Sequence, residues 1–232
     1  MYFDYNATTP LDPEVIRAIR RMCEEAWINP SSGYKRGREV KKIIEDARQK
    51  VAKMVGIQEG NPFDVITFTS GGTEANFTVM HWAIEAFKKQ FLGKIPHIVT
   101  SNIEHCATEL PLKRWQEKGE IEVSFVKVQN GKVLVEDVEK AIKSNTCLVT
   151  VMLANNETGV IQPLKEIGDL IQKLNQDRAF KILLHSDAAQ AFAKIPVDAK
   201  EMKVDYLTIV GHKVRLRDKQ QTLDKSLFFQ SF

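Results

Sequence analysis

The sequence predicts an α/β protein built on a mainly parallel sheet with helices on both faces. Two observations predict it. Short apolar segments at residues 65–68, 98–100, 121–128, 148–153, 182–184 and 206–210 alternate with helical stretches at 73–91, 108–118, 135–143 and 163–174, the pattern of strand–helix–strand units. Polar clusters rich in Gly, Asn, Asp, His and Lys directly follow most of the apolar segments, where sheets of this kind gather ligands.

Each element has a local reason. Asp12 supplies a capping carboxylate and Pro13 fits the first helical position, with Val15, Ile16, Ile19 and Met22 following at helical spacing. A second helix is expected over 34–55, stopped by Gly56. The apolar segments beyond it are too short for helices and suit buried strands. There is no internal repeat and no low-complexity linker.

Composition narrows the function. The 232 residues carry 33 Lys+Arg against 30 Asp+Glu, a net charge of +3, too small to call for nucleic acid or a membrane surface as partner. With 43% hydrophobic residues the chain can bury a sizeable core. Much of the slight basicity lies in residues 214–232, where Arg215, Arg217, Lys219 and Lys225 face Asp218 and Asp224. Cys23, Cys106 and Cys147 are odd in number and widely spaced, which supports neither a disulfide framework nor a metal knuckle. The opening Met-Tyr-Phe-Asp has no signal-peptide character, and the apolar runs are too short to span a bilayer. A cytoplasmic protein is expected, and the glycosylation sequons at Asn6, Asn76 and Asn156 are read as chance matches.

Five polar clusters are candidates for chemistry. Thr69-Ser70-Gly71-Gly72-Thr73-Glu74-Ala75-Asn76 opens a helix and reads either as a phosphate cradle or as a capping turn with Thr73 as the cap. Glu104-His105-Cys106 offers an imidazole that could stack on a planar cofactor, move protons or cap the next helix; adjacent positions make a Cys–His nucleophile pair awkward. Asn155-Asn156-Glu157-Thr158-Gly159 is either a polar binding cluster or an Asx turn. Asp187, leaving a buried segment, needs a cation or donor. Lys213, after Gly211-His212, could be an amine for covalent attachment or a solvated surface lysine. Aspartate at one strand end and lysine at the next are the two ends of pyridoxal phosphate chemistry, in which the lysine binds the aldehyde and the carboxylate keeps the pyridine nitrogen protonated.

Taken together, these motifs resemble the class V aminotransferase group of fold-type I pyridoxal phosphate enzymes, which includes cysteine desulfurases and selenocysteine lyases. The matching motifs are Tyr5-Asn6-Ala7-Thr8-Thr9-Pro10, Asn29-Pro30-Ser31-Ser32, the Thr-Ser-Gly-Gly-Thr-Glu turn, Glu104-His105, Asn155 to Gly159, Asp187-Ala188-Ala189-Gln190 and Gly211-His212-Lys213. Asp4 to Pro10, Met152 to Gly159 and Leu207 to Lys213 follow the pattern of the selenocysteine branch, where Val210 stands in place of the serine usual in bacterial-type desulfurases.

The resemblance implies a large domain of fold type I over residues 1–213, pyridoxal 5'-phosphate as cofactor and an amino-acid substrate, L-selenocysteine or L-cysteine. It implies that Lys213 holds the cofactor and later carries protons, that Asp187 pairs with the ring nitrogen, and that Gln190 donates to the ring hydroxyl. His105 would stack on the ring with Asn156 nearby, and Gly72, Thr73 and His212 would bind the phosphate. The expected reaction releases selenide from L-selenocysteine and leaves L-alanine, and an intact member is expected to be a homodimer. Cysteine desulfurase is the alternative within the family.

The match ends at Lys213, after which Val214-Arg215-Leu216-Arg217 departs from the family pattern. The last strand of the large domain and the small C-terminal domain, with its substrate-binding arginine and mobile cysteine, are expected to be missing. None of the three cysteines holds the matching position. In the family that last strand inserts between the first strand, here 65–68, and the one before the lysine. Its loss would unpair both, at about 1–3 kcal/mol per buried group. Residues 214–232 are therefore expected to be a divergent tail, and a catalytically inactive product is the reading from outside the enzyme class.

Overall fold

The computed structural model describes residues 1–214. Residues 215–232, which hold nearly all of the expected divergent tail and its apolar Leu227-Phe228-Phe229, lie outside the described residues.

Five strands, β1 (His97–Ser101), β2 (Glu122–Val126), β3 (Thr146–Thr150), β4 (Leu183–Asp187) and β5 (Tyr206–Thr208), pair in the order β2-β1-β3-β4-β5. Every pairing is parallel. The helices are α1 (Pro13–Glu25), α2 (Lys35–Met54), the short α3 (Pro62–Val65), α4 (Gly72–Gln90), α5 (Cys106–Glu117), α6 (Val135–Ala141) and α7 (Leu164–Leu174). Asp12 caps α1 as its sequence predicts, with Oδ1 accepting from the Glu14 N–H at 2.8 Å.

Alternate strand residues feed two cores. Ile98 and Leu148 pack with Met80, Ile84 and Phe87 of α4 and Leu112 of α5. Val99, Val149 and Leu184 pack on the other side with Val138 of α6 and Ile167 and Ile171 of α7. Each such side chain, fully buried, contributes about 1.5–3 kcal/mol. Two neutral histidines tie the strands laterally. His97 sits between the hydroxyls of Thr146 (2.8 Å) and Ser124 (2.9 Å). His185 sits between those of Thr150 (2.8 Å) and Thr208 (3.0 Å). Burial pushes both imidazoles down to about 4.

One predicted strand is corrected. Residues 65–68 are not a strand: Val65 ends α3, and no neighbouring chain pairs with the segment among the described residues. An extended segment without a ladder partner must satisfy its carbonyls otherwise, and Ile66 C=O accepts from Arg48 Nη1, whose guanidinium lies 4.8 Å from the Phe68 ring centroid. Among the described residues the same lack of a partner leaves β5 at the edge of the sheet, paired with β4 alone. The predicted segment 206–210 shortens to Tyr206–Thr208, where Thr208 C=O accepts from Ala188 N–H at 2.8 Å.

The N-terminal segment lies across the end of the sheet. Thr9 donates through N–H (3.1 Å) and Oγ1 (2.9 Å) to the carbonyl of His212. It thereby secures the 3-10 turn Gly211–Lys213 that follows β5.

Candidate active site

The carboxyl ends of the strands surround one cavity, and all eight residues expected from the motifs line it: Gly72, Thr73, His105, Asn156, Asp187, Gln190, His212 and Lys213. They come from five separate stretches of chain, brought together because parallel strands all end on the same edge of the sheet.

One end of the cavity is built for an anion. The N-cap of α4 is Gly71, not Thr73, which corrects the capping-turn alternative; Thr73 stands in the first helical turn. The turn is held by Glu74, whose Oε2 accepts from both N–H and Oγ of Ser70 at 2.5 Å. The first intrahelical bond runs from Ala75 N–H to Gly71 C=O (3.1 Å), so the N–H groups of Gly72, Thr73 and Glu74 precede the ladder and are free to meet a ligand. A Cβ on Gly72 would come 2.8 Å from Val210 Cγ2, which shows how closely α4 presses on the end of β5. His212 flanks this end, with Nδ1 3.1 Å from Thr8 Oγ1. Partial burial, and then the charge of Lys213, lower its pKa.

The other end carries a buried carboxylate. Asp187 is 8% exposed at the last position of β4. Its Oδ1 accepts from Ala189 N–H (2.9 Å) and its Oδ2 from Asn76 Nδ2 (2.7 Å). It makes no ion pair among the described residues, and the imidazole two residues before it, His185, is neutral. A buried anion with donors but no cation is a receptor for a positively charged N–H group.

His105 does what the plainer sequence reading foresaw: it caps α5, its Nδ1 accepting from Ala107 N–H at 3.1 Å. The ring lines the cavity at the same time. Cys106 Sγ stands 3.8 and 3.9 Å from the two ring nitrogens; near-equal distances, with Nδ1 already engaged, do not make a nucleophile pair. The next cluster divides its work. Asn155 makes the Asx turn, accepting from Glu157 N–H (3.0 Å) and Thr158 N–H (2.9 Å), and Asn156 faces the cavity. Gln190 donates one Nε2 hydrogen to Asn6 C=O (2.9 Å), and its Oε1 accepts from Lys194 Nζ (2.7 Å). Because a lysine only donates, this contact sets which end of the amide is the donor. Lys213 is half-buried beside it and has no ion pair among the described residues.

Three residues given no role in the sequence reading belong to the site. Asn76 is one, detectable because residues 72 and 76 share a helix face. Lys194, four residues after Gln190, is another. Glu104 is the third: it is buried, and accepts from Met152 N–H (3.0 and 3.1 Å) and Ser101 Oγ (2.5 Å). Burial pushes Glu104 up to about 8, with a further push from Asp187 and against those hydrogen bonds. At neutral pH it is mostly uncharged and ties the loop before His105 to the end of β3.

The arrangement fits pyridoxal phosphate by its chemistry. An anion cradle, an amine and an unpaired buried carboxylate match the phosphate, aldehyde and ring nitrogen of that cofactor.

The chain belongs to the class V aminotransferase family, whose model matches residues 1–215. It is 49% identical to a selenocysteine lyase of Rattus norvegicus, in an alignment covering 92% of this chain and 53% of that protein. It is 41% identical to the cysteine desulfurase IscS of Methanosarcina thermophila, over 92% of this chain and 49% of that one. Among solved structures, a NifS-like protein superposes with a TM-score of 0.80 at 36% identity, covering 92% of this chain and 55% of that one. The fold is therefore the α/β fold of the NifS-like pyridoxal phosphate enzymes of fold type I. The chain spans about half the length of the curated relatives it matches.

Proposed function

We infer that residues 1–213 are the cofactor-binding large domain of a selenocysteine lyase-type enzyme that uses pyridoxal 5'-phosphate to convert L-selenocysteine to L-alanine and selenide. The observation that carries this reading is the convergence of Gly72, Thr73, His105, Asn156, Asp187, Gln190, His212 and Lys213 on one cavity, with an unpaired carboxylate at one end and a helix N-terminus at the other. When bound, the cofactor supplies an electron sink for charge developing at the substrate's α carbon. Lys213 Nζ would hold the cofactor and then move the proton at that carbon. Asp187 would hold the proton on the ring nitrogen, Gln190 would donate to the ring hydroxyl, and His105 would cover the ring with Asn156 beside it. The N–H groups of Gly72 and Thr73, with His212, would bind the phosphate. The higher identity to selenocysteine lyases than to desulfurases favours selenium. A cytoplasmic location and a homodimer of the complete protein belong to the same reading; Phe3 (83% exposed) and Trp27 (75% exposed) are apolar surface that a second subunit could cover. Among the described residues no helix is long and apolar enough to cross a membrane.

The test is product formation. The 232-residue protein, loaded with pyridoxal phosphate, is given L-selenocysteine or L-cysteine with dithiothreitol as the electron donor. A catalytic chain of the selenocysteine type is expected to form alanine from selenocysteine at a rate at least about tenfold above that from cysteine. Equal rates, or a preference for cysteine, would assign the desulfurase reading favoured by the second group of relatives. Cofactor binding with no alanine from either substrate would assign a non-catalytic chain.

A further inference from the structure

We propose that Asn76 is a positioning residue of this site, holding the Asp187 carboxylate where the cofactor's ring nitrogen would meet it. The assignment rests on the functional reading above. Asn76 lies in the second turn of α4 and is 1% exposed, yet it lines the cavity. Its Nδ2 gives one hydrogen to Asp187 Oδ2 at 2.7 Å and the other to Thr108 Oγ1, near the start of α5, at 3.3 Å. Ala189 N–H holds the opposite carboxylate oxygen at 2.9 Å. The carboxylate is thus gripped on one oxygen from α4 and on the other from the turn after β4.

The cost of this arrangement shows what it is for. Turning the amide end for end would aim Oδ1 at a carboxylate and set two acceptors against each other. The orientation adopted avoids that and leaves Asn76 Oδ1 buried with no donor among the described residues. Orphaned buried acceptors are unfavourable, and a side chain such as leucine, branched at the same atom, would carry none. Packing alone would therefore select an apolar side chain here. Donation to Asp187 is what asparagine adds, and Thr108 keeps the amide from turning away.

Two variants of the 232-residue protein test this: Asn76→Leu and the equally sized Asn76→Asp. Pyridoxal phosphate affinity and the melting temperature of the cofactor-free protein are measured from pH 6 to 9. Without cofactor, Asn76→Leu is expected to melt near the wild-type temperature, because losing the orphaned Oδ1 offsets the donor taken from Asp187. It is expected to bind pyridoxal phosphate about tenfold more weakly, the loss of one hydrogen bond to a charged group. Asn76→Asp is expected to bind weakly at the alkaline end. Its affinity should recover as pH falls, when its carboxyl takes up a proton it can donate to Asp187.

A lower melting temperature for Asn76→Leu with unchanged affinity would mark a packing residue and overturn the assignment. Wild-type affinity for Asn76→Asp at every pH would overturn it too, and that variant decides the matter if the leucine variant does not fold. A wild type that fails to take up the cofactor overturns the functional reading and this assignment together. Normal wild-type uptake, matched by both variants, overturns this assignment alone.

Discussion

Asp187→Ala is expected to weaken pyridoxal phosphate binding by roughly a hundredfold to a thousandfold, the range found when one partner of a buried, hydrogen-bonded charge pair is truncated. The carboxylate is 8% exposed and holds two donors without any ion pair among the described residues, so on the proposed reading the cofactor's cationic ring nitrogen would be its counter-charge. Removing it leaves the protonated ring facing the Asn76 amide, itself a donor, in a place where water replaces the lost charge poorly. The same change relieves the fold of a buried charge, which offsets the two donors it orphans, so the cofactor-free protein should keep its fold. Titration of the variant with pyridoxal phosphate, paired with its melting curve, checks this. An affinity within about threefold of wild type would mean that Asp187 does not meet a charge.

Gly168→Ala should produce the largest loss of stability. Gly168 is buried in α7, and a Cβ built there would stand 2.3 Å from the carbonyl oxygen of Met202 and 3.0 Å from Lys203 Cβ. Two effects compete. Alanine in a helix gains about 1 kcal/mol over glycine, but overpacking costs about 1–3 kcal/mol and sometimes more. The contact is with backbone, which cannot rotate away, and Lys203 next to it already has a positive φ of 55°. The clash should win, because α7 would have to back away from the connection between β4 and β5. A fall of about 3–10 °C in melting temperature is expected. Gly33→Ala, where a Cβ meets nothing within 4 Å, is the matched control and should stay near wild type. Equal melting temperatures for the two would show that α7 is not seated as closely as described.

The sequence revealed most where the physics is local. The Asp12-Pro13 start of α1, the alternation that builds the parallel sheet and the polar clusters at the strand ends can all be read from residue types and spacing. The dual use of His105, as cap and as cavity wall, is half legible: capping follows from its place before α5, and the wall follows only from the fold. What escaped depends on partners distant in sequence. Residues 65–68 have the composition of a strand but, among the described residues, nothing beside them to pair with, and no propensity reports that. Asn76 meets Asp187 across 111 positions, so its only early sign was the helix face it shares with Gly72. Glu104 stands beside His105 in sequence, but its raised pKa reflects burial, which composition does not contain.

The most direct test of the central claim is the absorbance spectrum of the purified 232-residue protein after soaking in pyridoxal phosphate, alongside Lys213→Ala. A near-visible band from lysine-attached cofactor is expected in the wild type and absent from a folded Lys213→Ala variant. The same featureless spectrum from two soluble, folded proteins would contradict it, and the cavity at the strand ends would then not be a pyridoxal phosphate site in this chain.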